Sequence, residues 1–84
     1  MMAIEISDHA RGQMGERGVT LEEVHAAIEE GQSEPTRKGR IMFRKNFGFN
    51  SEWRGRHYRI KQVAPVVAQE ADRLVVVTVY TFYF

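Results

Sequence analysis

The stretch Leu74-Val75-Val76-Val77-Thr78-Val79-Tyr80-Thr81-Phe82-Tyr83-Phe84 is β-branched or aromatic at every position after the first. Such side chains fit a pleated surface and lose rotamer freedom in a helix, so the stretch predicts a strand. It is apolar on both faces, which places it centrally in a sheet with helices on one side. Working back along the chain, Glu70 to Asp72 reads as a turn, and Arg56 to Gln69 alternates. That alternation puts Tyr58 and Ile60 on one face and His57, Arg59 and Lys61 on the other. Pro65 predicts a bulge or an edge position. Arg40 to Arg44 alternates too, with Ile41 and Phe43 opposed to Arg40, Met42 and Arg44. Between these strands, Asn46 to Gly55 holds two glycines, two asparagines and the rings of Phe47, Phe49 and Trp53, and reads as an ordered loop.

The first third of the chain has a helical period instead. Ser7 is a natural N-cap, Asp8 suits the positive end of a helix dipole, and Ala10, Met14 and Arg17 recur at helical spacing up to Gly18. Thr20 and Glu23 form a capping box, with Val19 and Val24 placed as a hydrophobic staple. Leu21, Val24, Ala27 and Ile28 give the second helix an apolar stripe, and Gly31 ends it in a C′ role. The expected architecture is α+β: an N-terminal two-helix hairpin over residues 7–30, packed on one face of an antiparallel sheet of three or more strands. A polar connector, Gln32 to Lys38, joins the two halves, and residues 1–84 make a single domain.

Composition narrows the function. Eighty-four residues that are 43% hydrophobic can build one modest core. Without cysteine, no disulfide, catalytic thiolate or thiolate zinc ligand is available. The longest apolar run is too short for a membrane helix and no secretory leader precedes Ile4, so the reading expects a soluble chain that stays in the cytoplasm and meets no membrane. A net charge of +1 conceals three blocks: residues 1–36 sum to −6, residues 37–61 to +8 and residues 62–84 to −1. The basic block predicts a surface for a polyanion, RNA above all. Alternatively, the acidic helices pair with the basic strands within the fold.

No phosphate-cradling glycine motif, no metal-ligand spacing among the histidines and no serine triad can be found, so neither metal nor cofactor is expected. Imidazole, guanidinium, ammonium and phenol remain. These suit metal-independent RNA cleavage, in which the 2′-hydroxyl is the nucleophile and the protein supplies acid, base and positive charge. His9 shares a polar helix edge with Gln13 and Arg17, though capping and the helix dipole would also explain His9 and Arg17. His57, Arg59 and Lys61 share a face if their strand is regular, joined by Arg40 and Arg44; an ordinary solvated face is the alternative. Tyr80 either orients a phosphate or is a core tyrosine with a wet hydroxyl, and Thr78 sits beside it. Phe47, Phe49 and Trp53 either stack on bases or anchor their loop. His25 reads as surface. Two other functions fit the same residues: a non-catalytic nucleic-acid-binding module, or a protein-interaction domain whose basic strands dock an acidic partner and whose aromatic end, Phe82 to Phe84, forms a homodimer seam or an added-strand interface.

The run Ser7-Asp8-His9-Ala10-Arg11, then Met14, Glu16-Arg17-Gly18-Val19-Thr20 and Glu23-Val24, with the closing Val76-Val77-Thr78-Val79-Tyr80, resembles small uncharacterised microbial domains. Their opening reads "HAR…M…RG(I/V)T…V" and their ending "VVTVY". Those domains are similar in turn to the BrnT and RelE-type toxins, grouped with barnase and colicin ribonucleases. The resemblance spans essentially the whole chain. It implies two helices on an antiparallel sheet, metal-independent endoribonuclease activity and a cognate antitoxin that masks the basic face. By position, His9, Arg11 and Arg17 match the opening and Thr78 and Tyr80 the ending. Position 13, often arginine in the family, is Gln13 here. The resulting expectation gives catalysis to His9, Arg17, His57 and Tyr80, and RNA binding to Arg11, Arg40, Arg44, Arg59, Lys61 and Thr78.

Overall fold

A computed structural model describes residues 3–84. In chain order it contains β1 (Ala3–Ile6), α1 (Asp8–Arg17), α2 (Leu21–Glu30), β2 (Gln32–Pro35), a single 3-10 turn (Arg37–Gly39), β3 (Ile41–Trp53), β4 (Arg56–Glu70) and β5 (Arg73–Tyr83). The five strands form one sheet in the order β1-β5-β4-β3-β2. β5 is internal, as its two apolar faces predict. The α+β class holds, but the helices follow a strand rather than opening the chain. β1 lies parallel to β5, pairing Ala3 with Arg73 and Ile6 with Val76, so the sheet is mixed and not purely antiparallel. The helices also pack on the sheet, α1 on β5 and α2 on β3 and β4, rather than against each other as a hairpin. Among the described residues no helix is long and apolar enough to cross a membrane.

Local chemistry fixes the helix ends. The Ser7 hydroxyl accepts from the Ala10 N–H at 3.1 Å. Thr20 and Glu23 close the capping box through bonds of 3.1 and 2.9 Å. Gly18 ends α1 at φ 68°, a conformation glycine adopts without steric cost. A Cβ there would stand 2.7 Å from the Trp53 ring. Gly18→Ala is therefore expected to destabilise the fold by about 1–3 kcal/mol in denaturant titration; a loss below about 0.5 kcal/mol would mean that Trp53 does not close over this turn. Gly31 ends α2 differently, at φ −76°. Glycine suits position 31 through space, not dihedral angle, because a Cβ would collide with the carbonyl oxygens of Ala27 and Arg44.

β3 and β4 form a long hairpin where a loop was expected. Asn46 to Trp53 stays in the sheet because its turn-forming residues serve other ends. Asn50, at φ 44°, lies within a register shift between Gly48 and Ser51. Arg54 and Gly55, both at positive φ (52° and 82°), make the two-residue reversal that a twisted hairpin favours. Pro65 is fully buried in the central strand β4, not at an edge. Its missing N–H shows as a lapse in the β3–β4 ladder between the Met42/Val66 and Lys45/Val63 pairs, and a bulge follows at Val66/Val67 against β5.

Ile6, Ala10, Val19, Val24, Val63, Val67, Val76 and Val79 form one core between the helices and one sheet face. The other face carries Tyr80 and Phe82, each 42% exposed, and no helix covers it. β1 pairs with β5 only as far as Val76. Beyond that point α1 seals the strand edge: the Val79 N–H donates to Gln13 Oε1 at 2.8 Å, and Arg17 Nη1 donates to the Val79 carbonyl at 2.6 Å. Such side-chain bonds satisfy an otherwise open edge and block stray pairing.

Candidate nucleic-acid interface

The loop from Thr36 to Arg40 folds back on itself. The Thr36 N–H donates to the Arg40 carbonyl at 2.9 Å, and the Arg40 N–H to the Arg37 carbonyl at 3.2 Å. The reversal uses two successive left-handed residues, Lys38 (φ 62°) and Gly39 (φ 70°). For Gly39 this costs little, whereas for Lys38 it costs on the order of 1 kcal/mol. The loop places Arg37, Lys38 and Arg40 on an open concavity of about 580 Å³ that Met42, Val66, Thr78 and Tyr80 also line. Arg37, Lys38 and Arg40 form no ion pair among the described residues. Three unneutralised cations around one hollow repel each other, and an entering anion relieves that repulsion. Thr78 is held in place, its hydroxyl donating to Gln13 Oε1 at 2.5 Å. An arginine at position 13 could not accept that bond. Tyr80 is 42% exposed and is not a core residue.

Of the residues singled out by sequence, Arg40, Thr78 and Tyr80 meet here. The others do not. Lys61 is only 4% exposed; its ammonium donates to the Gly18 carbonyl at 2.5 Å and pairs with Glu23 at 2.8 Å. His57 and Arg59 are exposed but do not share a face with Lys61, because β4 is irregular. The N–H groups of Arg59 and Ile60 both donate to the Phe84 carbonyl, the two-against-one pattern of a bulge. In consequence Tyr58 joins Tyr83 on the helix side, their rings 5.5 Å apart. His57 stands nine residues along β4 from Val66, a lining residue, which amounts to roughly 30 Å of strand. Arg44 is committed to Glu34 at 2.6 Å and Gln62 at 3.0 Å. Arg17 is spent on Val79. His9 and Arg11 are exposed on α1, His9 one turn before Gln13.

The aromatic residues of the β3–β4 hairpin are internal anchors. Trp53 stacks on Tyr83 with centroids 5.1 Å apart, and Phe49 lies 5.3 Å from the same ring. The Tyr83 hydroxyl donates to the Arg17 carbonyl at 2.7 Å. Burial first, and the Glu23 carboxylate second, hold this phenol above its usual value of 10.0 against an opposing pull from Arg54. Tyr83 is thus a packed, neutral phenol that joins hairpin to helices. A second, polar hollow lies between Gln32, Lys45 and Gln62, where Lys45 is already paired with Glu30 at 3.2 Å.

Arg37 and Lys38 are the site residues that sequence reasoning missed. They lie in what reads as a connector, yet Arg37-Lys38-Gly39-Arg40 is itself the signal: three cations around a turn-forming glycine. Among the described residues no group of three His, Asp or Glu gathers as a metal site. No curated protein and no solved structure matches the chain. Residues 6–81 match the family described as "Domain of unknown function (DUF4258)", and since that match covers nearly the whole chain, the protein belongs to this family.

Proposed function

We propose that the domain is a metal-independent endoribonuclease of toxin type, with the concavity between the Arg37–Arg40 loop and β5 as its phosphate site. The observation that carries this reading is the meeting of Arg37, Lys38, Arg40 and the Tyr80 phenol around one open hollow on the uncovered sheet face. The RNA 2′-hydroxyl attacks the adjacent phosphorus, and the three cations stabilise the negative charge that builds on the phosphorane. Tyr80 gives its proton to the departing 5′-oxygen. The proton of the 2′-hydroxyl passes to solvent at the open hollow. The products are a 2′,3′-cyclic phosphate and a 5′-hydroxyl. The opening and closing motifs resemble those of small uncharacterised domains that are similar in turn to BrnT and RelE-type toxins; that resemblance supports this reading, and with it a cytoplasmic site of action and a cognate antitoxin whose acidic segment covers the hollow.

The test is incubation with end-labelled single-stranded RNA in excess chelator, with and without ribosomes. Wild-type protein is expected to yield cyclic-phosphate ends. Tyr80→Phe should slow cleavage about 100-fold or more while RNA affinity stays within a few-fold, as loss of a general acid predicts. RNA left intact in both settings would remove the catalytic reading. One observation favours a second reading, a non-catalytic RNA-binding module: no imidazole lines the concavity. That module would show the same salt-sensitive binding without product.

A further inference from the structure

Resting on the RNA reading above, we infer that the uncovered face of β5 is a base-stacking platform, formed by Tyr80 and Phe82, that restricts the ligand to unpaired RNA. Both residues are 42% exposed although they belong to β5, an internal strand of the sheet. Their cross-strand neighbours on β4 are Ala64 and Gln62; one offers only a methyl group and the other is polar, so neither covers a ring with apolar bulk. Phe49, Trp53 and Tyr58, by contrast, are consumed on the helix side around Tyr83. A ring left open to water on a β-strand is costly to hydration and is well suited to receive a flat partner.

Spacing and charge decide the occupant. Tyr80 and Phe82 are two residues apart, a step of about 6.7 Å along a strand. That is about twice the 3.4 Å rise per nucleotide of a duplex strand, so the rings suit bases that are pulled apart rather than stacked on each other. The hollow with its three unpaired cations lies at the Tyr80 end; Phe82 lies one step further along β5, where the nearby Arg44 is bonded to Gln62 and already paired with Glu34. A polyanion seated at the cations therefore extends its bases toward Phe82. Base pairing hides the faces that these rings would contact, which makes single-stranded RNA the fitting ligand. A second copy of this chain would bring the same cations against themselves.

The experiment compares three probes of equal length: a 2′-O-methylated single-stranded RNA that resists cleavage, its base-free sugar-phosphate analogue, and a duplex. Phe82→Leu keeps apolar burial but lacks a π-face, and Phe82→Ala serves as the fuller deletion; circular dichroism and size-exclusion chromatography check that both remain folded. Phe82→Leu is expected to weaken binding of the single strand roughly ten-fold, to leave the base-free analogue unchanged and to leave the salt dependence unaltered. Wild-type protein should prefer the single strand to both other probes. Unchanged single-strand affinity in both variants, with Lys38→Ala still weakening it, would overturn the platform and leave the phosphate site standing. Failure of wild-type protein to bind any probe would defeat the RNA reading itself. A concentration-dependent dimer abolished by Phe82→Ala would show that this face takes a second copy, and would equally overturn the platform.

Discussion

Replacing Arg37, Lys38 and Arg40 together with alanine is expected to lower affinity for single-stranded RNA about 50-fold at roughly 0.15 M salt. The figure follows from counterion release: each phosphate neutralised on a single strand contributes about −0.7 to the slope of log affinity against log salt, so three cations contribute about −2. The variant should lose that part of the slope as well as the affinity, which separates it from a variant that merely misfolds. Its fold should survive, since the three side chains make no ion pair among the described residues. Removing mutual repulsion should even stabilise the domain slightly. An unchanged slope, read by fluorescence anisotropy across a salt series, would place the polyanion elsewhere.

Glu23→Gln is expected to be the most destabilising conservative change, costing about 3–5 kcal/mol. The Lys61 ammonium is enclosed beneath the α1–α2 turn, with Glu23 Oε1 at 2.8 Å and the Gly18 carbonyl at 2.5 Å. Without the carboxylate, a buried positive charge has only a carbonyl and an amide oxygen to face. The reverse deletion should be milder. Lys61→Met keeps the stem's apolar contacts, and the Glu23 side chain, 21% exposed, still reaches water and still closes the capping box. We expect Lys61→Met to cost no more than about 2 kcal/mol, and the double variant to recover most of what Glu23→Gln loses. Urea unfolding of the four proteins measures the coupling. Additive losses would show that the pair is not coupled.

The caps at Ser7, Thr20 and Glu23 are local chemistry between residues three apart, and they stand in the structure as read. β1 and β2 are four-residue strands whose extended state is dictated by distant partners, β5 and the start of β3; nothing within Ala3–Ile6 or Gln32–Pro35 announces it. The loop reading of Asn46 to Gly55 failed because glycine and asparagine mark both loops and strand irregularities. Here they mark a bulge and a tight turn. Alternation set Arg40 apart from Ile41 and Phe43 and put Thr78 and Tyr80 on one face of their strand, but it could not show that these residues meet. It misplaced Lys61, because one bulge at Arg59 and Ile60 resets the faces and its partner Glu23 lies 38 residues away. Of the two readings of the charge blocks, pairing within the fold accounts for part of the basic block. Glu34, Glu30 and Glu23 neutralise Arg44, Lys45 and Lys61, while Arg37, Lys38, Arg40, Arg54, Arg56 and Arg59 form no ion pair among the described residues.

The central claim is that RNA meets this protein on the sheet face turned away from its helices. Titration of isotopically labelled protein with non-cleavable single-stranded RNA, followed residue by residue by NMR, tests it most directly. The account predicts that amide and side-chain signals of Thr36 to Met42 and Thr78 to Phe82 shift together, while those of Val24, Ala27 and the Lys61–Glu23 pair stay in place. Shifts confined to the α1 surface around Arg11, or to the hairpin tip around Arg54 to Arg59, would contradict it.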